Sequence, residues 1–166
     1  EFLTRKLKSH ADIDCAADEI LITSGSTQGL ALVNSLLVGK GDTILVEQET
    51  YGSAISRLVR IGVNAIGIPL DDEGLRLDVL RQKLEELKQK GIKPKYIYTI
   101  PTIQNPTGAI MGEARRAALL KLAAEYGVMI FEDECYSDLI WTNKRPPSLY
   151  AMAKGEGVIF IGSFSK

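Results

Sequence analysis

The chain has 166 residues, 45% hydrophobic and 25% charged, with a net charge of -1. That is enough for one sizeable core, and the near-neutral balance gives no electrostatic reason to expect nucleic acid or an anionic membrane surface as a partner. No apolar run is long enough to span a bilayer, Cys15 and Cys135 make neither a disulfide framework nor a metal set, and a single histidine, His10, leaves too little for a Ser-His-Asp or Cys-His hydrolase.

In chain order, Lys6 to His10 reads as a polar helix face. Glu19-Ile20-Leu21-Ile22-Thr23 reads as a strand, and Ser24-Gly25-Ser26 leads into a helix. In that helix Leu30, Val33 and Leu37 share one face, with Leu32 and Leu36 beside it. After a Gly39–Asp42 turn come a strand at Thr43–Glu47, a helix from about Ser53 to Ile61 and a strand at Val63–Pro69. Asp71–Gly74 is a turn, and the next helix carries Leu77, Leu80, Leu84 and Leu87 at the spacing of a buried stripe. Tyr96–Ile100 is a strand and Pro101–Gly108 a loop. Glu113–Tyr126 is an Ala- and Leu-rich helix stopped by Gly127. Val128–Phe131 is a buried strand running into Glu132-Asp133-Glu134, Lys144–Pro147 marks a loop, and Val158–Ile161 is the last strand. Strands alternating with helices predict an α/β domain with a mostly parallel sheet flanked by helices.

In such a sheet ligands gather at the carboxyl ends of the strands, and four predicted strand ends carry chemically active residues. Ser24-Gly25-Ser26-Thr27 is a small-residue turn opening a helix, suited to phosphate but also an ordinary cap. Gln104-Asn105-Pro106-Thr107-Gly108 is a rigid loop that can aim the Asn105 amide, though Asn-Pro turns are common. In Phe131-Glu132-Asp133-Glu134-Cys135-Tyr136, a buried carboxylate would call for a cation or donor as partner. Asp133 is the acid expected inside, Glu132 and Glu134 fitting solvent better. Finally, Ser163-Phe164-Ser165-Lys166 follows an apolar strand that could hold the Lys166 amine out of water, where desolvation favours the neutral nucleophile.

Asn-Pro-Thr-Gly, an Asp with Tyr three residues on, and Ser-Phe-Ser-Lys, in this order from about Ile20 to Lys166, resemble the large domain of the fold-type-I pyridoxal-phosphate aminotransferases of class I/II. The resemblance implies pyridoxal 5'-phosphate as cofactor, no metal, and transfer of an amino group between an L-amino acid and a 2-oxo acid through a Schiff base. Lys166 would carry the cofactor and shuttle a proton, and Asp133 would pair with the pyridine nitrogen. Asn105 and Tyr136 would donate to the phenolic oxygen. Ser26, Thr27 and Ser163 would bind the phosphate, and Tyr51 would stack on the ring.

It also implies that residues 1–166 are part of the large domain, incomplete at both ends. The small domain and the arginines for phosphate and substrate carboxylate would lie outside it, so the segment alone is not expected to transaminate. A homodimer in the cytoplasm is expected of the full-length protein, without nucleic-acid or membrane partners, although a lost targeting segment stays open. The Ile-Gln-Asn-Pro-Thr-Gly context looks like the branch handling aminoadipate, aromatic or branched-chain amino acids. Two alternatives keep the same residues: a pyridoxal-phosphate carbon–sulfur β-lyase, and the aminotransferase-like sensor domain of a transcription regulator.

Overall fold

The computed structural model of the chain describes residues 1–141 and 145–166. Among them the strands are β1 (Thr43–Glu47), β2 (Asn64–Ile68), β3 (Leu70–Asp71), β4 (Gly74–Leu75), β5 (Tyr96–Thr99), β6 (Met129–Asp133) and β7 (Val158–Ile161). The helices are α1 (Phe2–Ala11), α2 (Ser26–Leu37), α3 (Gly52–Arg60), α4 (Leu77–Gln89), α5 (Glu113–Tyr126) and α6 (Leu149–Met152). Five strands form one parallel sheet in the order β2-β1-β5-β6-β7, and β3 and β4 pair as a small antiparallel hairpin.

Strand parity divides the core. Leu45, Ile97, Ile130 and Val158 face α4, α5 and α6, where they meet Leu80, Leu84, Leu87, Leu119 and Leu149. Ile44, Val46, Tyr96, Tyr98 and Phe131 face α2 and α3, where they meet Leu30, Ala54 and Leu58. Each fully buried leucine of α4 contributes roughly 2 kcal/mol through the apolar surface it removes from water. Helix α5 ends as its sequence predicts, with Gly127 in the left-handed region at φ 60°.

The chain leaves β1 for β2 on one side and later returns to β5 on the other. The crevice outside the carboxyl ends of β1 and β5 is therefore a topological switch point, the usual ligand site of such sheets. At the β7 edge of the sheet, α2 packs closely on the last residue of the strand. A Cβ at Gly29 would stand 2.7 Å from Ile161 Cδ1, so a larger residue there would have to push the end of that side chain aside.

One predicted strand is absent. Ala17–Glu19 forms a short 3-10 turn and Ile20–Thr23 is irregular, with Leu21 and Ile22 exposed. A strand needs a partner ladder, and among the described residues none runs beside this segment; β7 pairs only with β6. The α2 stripe is also narrower than predicted: Leu30 is buried, Val33 and Leu37 are half-buried, and Leu36 stands in solvent. The predicted Lys144–Pro147 loop begins outside the described residues; Arg145 to Pro147 are irregular chain as expected.

Candidate active site

Strand β6 presents its acids alternately to the two faces of the sheet. Asp133 shares parity with Phe131 and emerges on the α2 side, while Glu132 shares parity with Ile130 and emerges on the α5 side. All three acids are buried, with Glu132, Asp133 and Glu134 at 0%, 4% and 3% exposure. The expectation that Glu132 and Glu134 face solvent is thus overturned, because each finds buried donors.

Asp133 Oδ2 accepts from the Tyr98 hydroxyl at 2.6 Å, and Oδ1 from the Cys135 N–H at 3.2 Å. Both partners are neutral, and among the described residues no lysine, arginine or histidine forms an ion pair with it. Tyr98 stands edge-on to Phe131, as does Tyr96, with ring centroids 5.8 and 5.7 Å apart, which fixes where the Tyr98 hydroxyl points. Burial, and then the Asp133 charge, push the Tyr98 hydroxyl pKa upward, so it stays a donor.

The Asn105 amide donates to the Tyr136 hydroxyl at 3.2 Å, and both side chains are half-buried. Lys166 Nζ lies 5.4 Å from the centroid of the Tyr136 ring and donates to Ser165 Oγ at 3.1 Å. Lys166, the last of the described residues, lies beyond the end of β7 and is exposed, so the expected desolvated amine is not seen in this chain by itself. Ser163 is half-buried with its hydroxyl 2.8 Å from that of Ser165.

Cys135 marks where these strand ends meet. Burial pushes its thiol up to about 12, with Asp133 adding to the rise and Ser26 and Lys166 opposing it. Ser26 is the first residue of α2, after Gly25 at φ 82°; it is half-buried, whereas Thr27 is exposed. Tyr51 precedes α3, half-buried against the same apolar cluster as Tyr136. The structure thus brings Ser26, Asn105, Asp133, Tyr136 and Lys166 to one end of the sheet. It gives Thr27 and Tyr51 no hydrogen bond to that group.

Sequence reasoning passed over two buried networks beside this cluster. In the first, Arg116 is 0% exposed and donates to Met111 O, Pro101 O, Thr102 Oγ1 and Glu134 Oε1 at 2.7 to 3.2 Å. Glu132 accepts from the N–H groups of Leu149 and Tyr150, at the start of α6, and lies 3.6 Å from Arg116. Burial and the neighbouring Glu134 charge push the Glu132 carboxyl upward. The signal was visible: Arg116, Leu119 and Ala123 are spaced i, i+3, i+7, so an arginine sits in the buried stripe of α5.

In the second, Glu47 ends β1 at 1% exposure. Its Oε1 accepts from Thr99 Oγ1 at 2.5 Å and Ile100 N–H at 3.0 Å, and its Oε2 from Gln104 Nε2 at 3.0 Å. Burial raises its pKa from 4.5 to about 7, its three donors resist the rise, and the Asp133 charge adds to it. The folded chain therefore holds this proton more tightly than the unfolded one. The stabilisation is full below about pH 4.5 and falls away as pH rises to about 7, by about 3 kcal/mol. Glu47→Gln, which cannot ionise, is expected to become relatively more stable from about pH 5 to about pH 8; urea unfolding of both proteins at the two values checks this.

A family described as aminotransferase class I and II matches residues 1–166. The aromatic-amino-acid aminotransferase 1 of Thermococcus litoralis is 40% identical, over 99% of this chain and 39% of its own length. The crystal structure of a Pyrococcus horikoshii kynurenine aminotransferase, a complex with PMP, superposes with a TM-score of 0.91 at 40% identity, covering 99% of this chain and 40% of the other. An uncharacterized HTH-type transcriptional regulator of Bacillus subtilis is 34% identical over 93% of this chain and 31% of its own length. The chain therefore spans well under half the length of the relatives it matches. Among the described residues no helix is long and apolar enough to cross a membrane, and no cluster of His, Cys, Asp and Glu could hold a metal ion.

Proposed function

This chain belongs to the class I and II aminotransferases, and from that premise we propose that the full-length protein moves an amino group between an L-amino acid and a 2-oxo acid, using pyridoxal 5'-phosphate. The observation that carries the reading is Asp133, a buried carboxylate at a strand end whose partners are neutral donors, beside Asn105, Tyr136 and Lys166. Such a carboxylate suits a protonated heteroaromatic nitrogen. The rest of the donor set fits the same group: an amide and a phenol for its phenolic oxygen, a helix start for its phosphate, and an amine for its aldehyde.

When bound, pyridoxal phosphate supplies an electron sink for the pair left as the substrate Cα–H bond breaks. Asp133 holds the proton on the ring nitrogen. Asn105 and Tyr136 donate to the phenolic oxygen and favour its anionic form. Ser26, Thr27 and Ser163 bind the phosphate with hydroxyl and backbone donors, and Tyr51 offers a ring to the pyridine face. Lys166 would hold the cofactor at its aldehyde end and, as a free amine, its Nζ would accept the substrate Cα proton.

Residues 1–166 serve in this reading as part of the large, cofactor-binding domain of a cytoplasmic homodimer. The name of the Thermococcus relative supports aromatic amino acids as substrates, and that of the Pyrococcus neighbour supports kynurenine. Borohydride reduction of the full-length protein with pyridoxal phosphate, followed by proteolysis and mass measurement, is expected to place the phosphopyridoxyl group on the peptide holding Lys166. The group on another lysine, or on none, overturns the reading. Pyruvate release without a 2-oxo acceptor would instead mark a β-lyase. The regulator relative favours one second reading, a sensor that binds the cofactor and responds to ligand. Multiple turnovers with a 2-oxo acid acceptor exclude it.

A further inference from the structure

Gln104 holds the centre of the second buried network. Its Nε2 donates to Glu47 Oε2 at 3.0 Å and to the Glu49 carbonyl at 2.6 Å, while its Oε1 accepts from the Thr107 N–H at 2.9 Å and the Thr107 hydroxyl at 2.8 Å. One amide thus ties together two loops at the switch point. The first leaves β1 through Glu49 toward Tyr51; the second holds Asn105, the next residue in the chain. Gln104 is 2% exposed, and Glu47 is anchored in turn by Thr99 and Ile100 at the end of β5.

We propose that Glu47, acting through Gln104, is a positioning residue that sets the Asn105 amide on the cofactor's phenolic oxygen; the inference rests on the site reading above. All four hydrogen bonds of Gln104 fix which end of its amide faces which partner. A carboxylate at position 47 accepts on both oxygens. Glu47→Gln can keep Oε1 on Thr99 and Ile100 but then presents an N–H₂ to the Gln104 N–H₂. Flipping Gln104 relieves that clash only by turning its N–H₂ toward the Thr107 N–H and its oxygen toward the Glu49 carbonyl. Either way the Asn105 loop loses a restraint, although residue 47 lies on the other face of the sheet from Asp133. The ionisable groups that act on Glu47 across the sheet are Asp133 and Tyr98.

The test is a double-mutant cycle on the full-length protein with pyridoxal phosphate as the probe. It reads the dissociation constant of the cofactor, the pH midpoint of its visible absorbance when bound, and the melting temperature of the cofactor-free protein. Glu47→Gln and Asn105→Ala are each expected to weaken binding about tenfold and raise the midpoint by about one unit, because both deprive the phenolate of a donor. The double variant is expected to shift no further than Asn105→Ala. Gln104→Met should behave as Glu47→Gln does, which keeps the test decisive if one variant folds poorly. A midpoint unchanged in Glu47→Gln and Gln104→Met, whatever their melting temperatures, overturns the proposal, as does a fully additive double variant. If the wild type takes up no cofactor, the site reading fails and this inference with it.

Discussion

Lys166→Ala in the full-length protein is expected to lower amino-group transfer by roughly 10⁴-fold, the upper range for removing a general base, while leaving the melting temperature of the cofactor-free protein unchanged. The two outcomes belong together. Among the described residues Lys166 hydrogen-bonds only to Ser165 and stands 5.4 Å from the Tyr136 ring centroid, so this part of the fold has little invested in it. In the proposed function the chemistry depends on it twice, as the amine that would hold the cofactor and as the group that would take the Cα proton. Lys166→Arg should not rescue activity, since a guanidinium stays protonated and cannot serve as base or nucleophile near neutral pH. Steady-state rates and thermal melts of the three proteins check this; activity of the alanine variant within tenfold of wild type would falsify the assignment.

Arg116→Ala is expected to have the opposite profile, costing about 3 kcal/mol of stability by removing the fully buried cation beside Glu132 and Glu134. Glu134 still keeps Arg145 at 3.7 Å, and Glu132 keeps its two N–H donors. Four acceptors lose their donor at once, among them two carbonyls, Met111 O and Pro101 O, in the chain leading from β5 to α5. Acid should soften the loss, because burial pushes the Glu132 carboxyl upward and its protonation removes one of the buried charges. Combining Arg116→Met with Glu132→Gln and Glu134→Gln should recover part of it at neutral pH. Urea midpoints of the single and triple variants test the claim, and a cost under about 1 kcal/mol for Arg116→Ala would show that the network is dispensable.

Much of the architecture was legible because parallel strands bury both faces and so read as continuous apolar runs, as at Thr43–Glu47 and Val158–Ile161. The same rule misled at Ile20–Thr23, where an apolar run has no strand beside it to pair with. Among the candidate site residues, Asn105, Asp133, Tyr136 and Lys166 drew attention because each ends or follows a strand and belongs to a short motif. Glu47 gave the same signal as Asp133, an acid closing an apolar strand, but lies in no motif. Gln104 was read as part of a loop, since nothing in its neighbours reveals that its amide reaches residues 47 and 49. Long-range pairing of polar groups is set by topology, and the sheet order had to be known first.

The edge-to-face stack of Tyr96, Phe131 and Tyr98 has a bearing on how Asp133 would respond to charge. Aromatic rings have few torsions to lose, and these three are wedged between the sheet and the helices that cover it. The phenol at the end of the stack therefore grips one carboxylate oxygen in a fixed direction, while the backbone of Cys135 grips the other. A cation arriving at this acid meets a carboxylate whose direction is already fixed. In water the solvent would have to turn toward the new charge, and that reorganisation energy would be added to the barrier. Here it has been met in advance, during folding, by rings that never touch the reacting atoms.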